Sequence, residues 1–277
     1  MQTKDHRVTE HPGERIDDLQ RCGCRIIQNR GLFCFGMDAV LLAAFAQPGI
    51  REGMHVLDLC SGNGIIPILL DARLGGADVH YTGVEVNPVC TDMARRSALM
   101  NGQQERVWFI EEDIKQVCTG EVQTCPDTVC GEDPHSGGRQ DRERLAPASF
   151  DAVTVNPPYM TGGGGITGEN YDRTIARFEV LCSLDDVMAA SSRALRFGGH
   201  LYMVHRPHRL SDVFASAAAY DLGIKRIRMV HSYADREANM VLIEAVKGGK
   251  PYIRAESPLI IFDSNGERTE EVRDLYG

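Results

Sequence analysis

Short apolar runs alternate with stretches of helical period along most of the chain. Residues 54–60 (MHVLDLC) read as a buried strand, and residues 64–74 (GIIPILLDARL) as a helix that tolerates Pro67 in its first turn. The rhythm repeats with a strand over 80–86, a helix over 88–101 ended by Asn-Gly, a third strand over 106–111 and a fourth over 150–156. A helix over 179–195 is expected to stop at Gly198-Gly199, with a fifth strand over 200–205 and a helix over 209–220 after it. Residues 224–230 and 240–246 close the pattern as two strands with no helix between them. Repeated strand-helix-strand units imply a parallel sheet with helices on both faces, and the last two strands an antiparallel pair at one edge. The expected architecture is therefore α/β, with a mostly parallel seven-stranded sheet.

Two segments interrupt this order. Residues 118–149 are rich in Gly, Pro, Asp, Glu and Arg and poor in apolar side chains, which predicts a flexible surface insertion. Residues 161–170 (TGGGGITGEN) are the other. Ahead of the sheet, residues 21–46 predict a short hairpin and then a helix starting at Asp38, whose side chain is expected to cap the amide of Val40 or Leu41. The chain thus divides into an amino-terminal extension, 1–46, and one main domain, 47–277.

Composition narrows the class. With 43% hydrophobic and 25% charged residues among 277, the chain is neither fibrous nor disordered. Its start is charged and lacks an apolar core, so a cytoplasmic protein is expected, with no membrane association. Nine cysteines, an odd number without a regular framework, read as free thiols. Cys118, Cys125, Cys130 and His135 lack a C-x-x-C pair, so no metal is expected there. Cys22-Gly23-Cys24 reads as one side of the hairpin. The net charge of −9 argues against a nucleic-acid partner, yet residues 190–254 hold 11 basic and 5 acidic residues, a net of +6. Lys225, Arg226 and Arg228 read as a solvated face of an edge strand.

The candidate chemistry sits at the predicted strand ends. Asp58-Leu59-Cys60-Ser61-Gly62-Asn63-Gly64 joins the first parallel strand to a helix, the place where a doubly wound sheet binds a nucleotide. Gly62 and Gly64 let the backbone approach a ligand. Glu85, 27 residues after Asp58, ends the second strand, where a carboxylate can accept from both hydroxyls of a ribose. Asp113 follows the third strand and can accept from an adenine amino group. Three acids at three consecutive strand ends suit a neutral or cationic nucleoside and would repel a pyrophosphate. After the fourth strand comes Asn156-Pro157-Pro158-Tyr159. Its prolines stiffen the backbone and can aim the Asn156 amide oxygen and the Pro157 carbonyl at one amine, while Tyr159 can stack on the ring that carries it.

In that order these elements resemble a class I S-adenosylmethionine-dependent methyltransferase of the amino-methylating branch. Phe33-Cys-Phe-Gly-Met-Asp-Ala-Val-Leu-Leu42, Ile175-Ala-Arg-Phe-Glu179, His205-Arg-Pro-His-Arg-Leu210 and Glu237-Ala-Asn-Met-Val-Leu-Ile-Glu-Ala245 narrow the resemblance to the tRNA1(Val) adenine-37 N6-methyltransferase family. The resemblance implies a Rossmann-like fold, S-adenosylmethionine as cofactor and tRNA as partner, with a monomeric enzyme expected. It implies that Asp58, Ser61 and Asn63 line the methionine end of the cofactor and that Glu85 takes the ribose. Asp113 with Ile114 takes the adenine, and Phe35, Gly36 and Asp38 lie near the carboxylate or methyl group. Gly62, Gly64 and Val86 complete the cofactor set. Asn156, Pro157 and Tyr159 hold the target amine, with Asn156 also beside the cofactor. Arg206 and Arg209 are expected to meet RNA phosphates, placing RNA across the carboxyl-terminal half. Two departures stand out: Cys60 occupies a position where many methyltransferases have glycine, and the insertion is long for the family.

A protein-glutamine N5-methyltransferase acting on release factors shares Asn-Pro-Pro-Tyr but carries a larger amino-terminal domain. Only about 50 residues precede the first core strand here. A non-catalytic cofactor-binding protein is a further reading, disfavoured by the intact Asn156–Tyr159 motif.

Overall fold

The carboxyl ends of five parallel strands meet along one edge of the molecule, and the fold is best followed from them. The computed structural model describes residues 8–19, 23–32, 36–119, 145–157, 182–250 and 252–276. Strands β3 (His55–Leu59), β4 (His80–Glu85), β5 (Val107–Glu111), β6 (Phe150–Val155) and β7 (Leu195–His205) pair in parallel in the order β5-β4-β3-β6-β7. β8 (Leu222–His231) and β9 (Ala238–Lys247) form an antiparallel hairpin, with β9 inserted between β7 and β8. Every residue of β6 is buried, as expected of a central strand covered on both faces.

Alternation along the strands builds two cores. Val56, Tyr81, Tyr202 and Leu242 face one layer, packed on α1 (Met37–Ala46), α2 (Ile65–Arg73) and α3 (Pro88–Met100). Leu57, Leu59, Val153, Met203 and Ile243 face the other, against α4 (Leu184–Ala194) and α5 (Leu210–Ala219). Helix α4 opens with a reciprocal capping box between Ser183 and Asp186. Ser183→Ala should therefore cost about 1 kcal/mol of stability, measured by denaturant titration.

The structure corrects several details of the sequence reading. Among the described residues the sheet holds nine strands, because β10 (Arg254–Ala255) and β11 (Leu259–Ile260) add to β8 in parallel. β8 is therefore no open edge. Arg226 bonds Glu244 and Glu256 and lies 3.9 Å over the Phe45 ring, while Arg228 bonds Glu271 of the final helix α6 (Glu270–Tyr276). Gly198-Gly199 does not end a helix. α4 stops at Ala194, and β7 begins at once, with both glycines inside it. Gly198 takes a φ of +79°, and a β-carbon on Gly199 would meet the Asp151 carbonyl at 3.1 Å. The β6–β7 register shifts at that point, so the pair serves a strand irregularity.

The amino-terminal hairpin lies earlier than expected, as β1 (Glu14–Asp18) and β2 (Arg25–Asn29). Gly23 and Cys24 fall between these strands, and Cys24 is buried. The hairpin docks on α3: the Ile27 amide donates to Ser97 Oγ at 3.0 Å, and Asn101 exchanges two hydrogen bonds with the Arg25 backbone. The expected Asp38 cap is also corrected. Gly36 is the N-cap of α1, and Asp38 Oδ1 accepts from the next amide, that of Ala39, at 2.9 Å. Most of the insertion, with Cys125, Cys130 and His135, lies outside the described residues, as do Cys22, Phe35, Pro158, Tyr159, the glycine run 162–165 and 175–179. Cys118 is buried, and its thiol donates to the Ala146 carbonyl at 3.5 Å. Among the described residues no helix is long and apolar enough to cross a membrane.

Candidate functional site

Parallel register brings the predicted acids and Asn156 to one edge. Leu59 pairs with both Val84 and Val155, so Cys60, Glu85 and Asn156 emerge side by side. The chain leaves β3 through Cys60, which adopts a φ of +56°, and turns through Gly62 and Gly64 into α2. A left-handed residue other than glycine is strained by about 1 kcal/mol or more. The Cys60 side chain lies against Cys182, with the two sulfurs 3.8 Å apart, and burial together with that contact pushes its thiol up from the usual range. Gly64 is fixed by packing: its φ is +85°, and a β-carbon there would stand 2.4 Å from the Phe109 ring. At Gly62, φ is +55° and a β-carbon would meet open space, which keeps the backbone accessible.

Glu85 is the organising carboxylate. Oε2 accepts from the Gly62 amide and Oε1 from the Asn87 amide, each at 2.9 Å. Both oxygens are thereby oriented, and each keeps acceptor capacity for a hydroxyl. Burial raises its carboxyl above the ordinary value, opposed by these amides. Asn87 caps α3, accepting from Val89 and Cys90. Beside it Val86 is 43% exposed, an apolar surface at the sheet edge, while Ile114 is buried. Asp113 turns Oδ1 to the Lys115 amide at 2.9 Å.

Asp58 is 1% exposed. Its Oδ1 accepts from Thr154 Oγ at 2.6 Å, while Oδ2 is buried and, like Ser61 Oγ, has no partner among the described residues. Desolvation raises the Asp58 carboxyl to about 8; Thr154 opposes the rise and the Glu85 charge adds to it. Two orphaned polar atoms beside an open glycine and an anchored carboxylate suit a ligand carrying both an amine and a ribose, as S-adenosylmethionine does. The Asn63 side-chain amide donates to the Ile27 carbonyl at 3.2 Å and ties the hairpin to the loop. Asn156 is half-buried, and its side chain makes no hydrogen bond among the described residues; Pro157 is buried.

The expected RNA contacts are placed differently from a free basic face. Arg206 and Arg209 do follow the carboxyl end of β7, one strand from Asn156. Yet Arg206 donates to the Asn239 carbonyl at 2.9 Å, and Arg209 is paired with Asp212 at 2.6 Å. Arg196 is paired with Asp151, and Arg226 and Arg228 bridge acids as described. Several basic residues of 190–254 are thus engaged in hydrogen bonds or ion pairs, of which Arg196 and Arg209 stay at the surface. His205 is buried and held neutral, its value lowered by burial to about 4. Among the described residues, one cluster has metal-ligand side chains, His11, Glu14 and Asp92, and the Arg96 guanidinium already bonds Glu14 and Asp92 at 2.6 Å.

Thr154 was not singled out from sequence. Its signal was available: a hydroxyl between Val153 and Val155 in a strand otherwise apolar on that stretch needs a buried partner. Cys182 gave no such signal, because its contact with Cys60 joins residues 122 apart.

No family model matches the chain. Among curated proteins it is similar to the tRNA1(Val) (adenine(37)-N6)-methyltransferase of Porphyromonas gingivalis, 25% identical over 229 residues, covering 82% of this chain and 77% of that protein. The protein of the same name from Aeromonas hydrophila is 26% identical over 231 residues, covering 83% and 80%. Among solved structures, a predicted O-methyltransferase of Agrobacterium tumefaciens superposes with a TM-score of 0.63 at 22% identity, covering 87% of this chain and 95% of that one. A Thermus thermophilus 16S rRNA N2 methyltransferase, in complex with AdoMet and guanosine, gives 0.53 at 18% identity, covering 84% of this chain and 50% of that one. The fold is that of the class I methyltransferases.

Proposed function

We propose, taking the chain as a relative of the tRNA1(Val) (adenine(37)-N6)-methyltransferases, that it methylates the exocyclic N6 amine of an adenine in tRNA at the expense of S-adenosylmethionine. Position 37 of a valine tRNA is the target those relatives' name points to. The observation that carries the reading is the juxtaposition of the Asp58–Gly62–Glu85 cluster with the half-buried Asn156, one strand apart on the same sheet edge. We read the protein as a cytoplasmic monomer.

S-adenosylmethionine, when bound, supplies a methyl group on a positively charged sulfur. Glu85 holds a ribose through its two oriented oxygens, Asp113 and Ile114 take the adenine, Val86 offers it an apolar face, and Asp58 with Ser61 receives the amino-acid end. The remaining work is alignment of the target nitrogen. Asn156 Oδ1 and the Pro157 carbonyl accept from the amine N–H groups and draw the nitrogen lone pair out of conjugation with the ring. No strong base is needed, because the nitrogen becomes acidic once it has attacked and can lose its proton to water. Tyr159 stacks on the base, which must leave its own stack to reach this edge.

Glu85→Ala should remove the ribose acceptor and weaken cofactor binding by about 1–3 kcal/mol in calorimetry. The substrate class is tested by supplying labelled S-adenosylmethionine with either bulk tRNA or a release factor. Label in tRNA supports the reading, and label confined to a glutamine of the protein replaces it with the glutamine methyltransferase.

A further inference from the structure

We infer that Thr154 is a positioning residue for the cofactor, holding Asp58 so that its second oxygen receives the ligand's ammonium group, and that binding expels a proton from Asp58 to solvent. The inference rests on the S-adenosylmethionine reading above and adds to it a residue and a proton.

The geometry begins with strand register. Asp58 on β3 pairs directly with Thr154 on β6, and both side chains are sealed from solvent. The Thr154 hydroxyl donates to Oδ1 at 2.6 Å and so fixes the orientation of the carboxyl group. Oδ2 is buried and has no partner among the described residues, on a strand end that leads directly into the turn with Ser61 and Gly62. A carboxylate desolvated in this way, with a single hydroxyl for support and a second carboxylate nearby, favours its protonated form. A cation delivered to Oδ2 reverses that preference.

The neighbouring charges leave this assignment intact. Glu85 at the end of β4 is the charged group acting on Asp58, and it disfavours ionisation. Cys60, next along the loop, holds its proton on burial and contact with Cys182. Elsewhere on β6, Asp151 is tied to Arg196 and to the His55 amide. On α4, Asp185 and Asp186 accept from Ser216 and Ser183, and Arg193 donates to the carbonyls of Lys115 and Val117. His80 stands at the opposite end of β4, 3.4 Å from Asp78.

The sign of the pH effect follows. The carboxyl sits at about 8 without ligand and falls when the ammonium arrives, so binding below that value releases a proton. The competent, ionised fraction then rises about tenfold per pH unit on the acid side, and apparent affinity rises with it. The ligand's own α-amino group loses its charge near pH 8, so the clean window lies below about pH 7.

The experiment is calorimetry of S-adenosylmethionine binding to the full chain near pH 6.5, in two buffers of different ionisation enthalpy. Wild type should release close to one proton per cofactor, and Asp58→Asn none. Thr154→Val should weaken binding about tenfold or more, the size expected of a hydrogen bond to a charged group, while Thr154→Ser retains most of the affinity. In an Asp58→Asn background, Thr154→Val should add no further loss, because its effect runs through that carboxylate. Binding by wild type without proton release overturns the inference and leaves the methyltransferase reading standing. Additive losses in the double variant overturn the role of Thr154. A wild-type protein that binds no S-adenosylmethionine removes the premise and the inference together.

Discussion

Replacing Asn156 with Ala should lower kcat on the order of 100-fold or more while leaving cofactor affinity nearly unchanged. The side chain stands at the end of a fully buried strand, half-buried itself, and makes no hydrogen bond among the described residues. Its oxygen gains most when the target amine pyramidalises and acquires positive charge, and the deficit belongs in the transition state. Single-turnover methylation at saturating cofactor measures this directly. A wild-type rate in that experiment would remove Asn156 from catalysis and leave the Asn-Pro-Pro-Tyr element a structural turn.

The second large effect concerns the fold that carries the site. Gly64→Ala should destabilise the protein by about 2–4 kcal/mol, combining left-handed backbone strain with overpacking. The added carbon would lie 2.4 Å from the Phe109 ring and 3.0 Å from the Ala94 side chain, and Phe109 is buried and cannot withdraw. Gly62→Ala provides the comparison. Its φ of +55° carries the strain, but nothing stands within 4 Å, so only about 1–2 kcal/mol should be lost. Denaturant unfolding of the two variants separates conformational strain from collision, and equal losses would contradict the packing argument.

Much of this architecture was legible because strand and helix periods differ and because strands buried on both faces read as unbroken apolar runs. β3, β4, β5 and β6 fall within a residue or so of their expected bounds for that reason. The failures have a common physical origin in long-range pairing. Gly198-Gly199 looks like a helix stop until the β6 register is known, and the glycines then prove to serve a shifted strand pair. Arg226 and Arg228 look solvated until β10 and β11 are seen to pair with β8, the residue after β10 supplies Glu256, and α6 supplies Glu271. Charge summed along a segment likewise says nothing of which acids fold against it, such as Asp151 against Arg196 and Glu271 against Arg228. Within the site, local motif chemistry placed Asp58, Glu85 and Asn156 at one edge correctly, since parallel strands align their ends. The Thr154–Asp58 bond joins residues 96 apart and needed the sheet.

The most direct measurement of the central claim is mass mapping of modified nucleosides in tRNA from a strain lacking this chain. The account predicts that N6-methylated adenine disappears from one tRNA, at position 37 of a valine tRNA, and returns with the wild-type gene but not with Asn156→Ala. Unaltered tRNA modification in the deletion strain would contradict it.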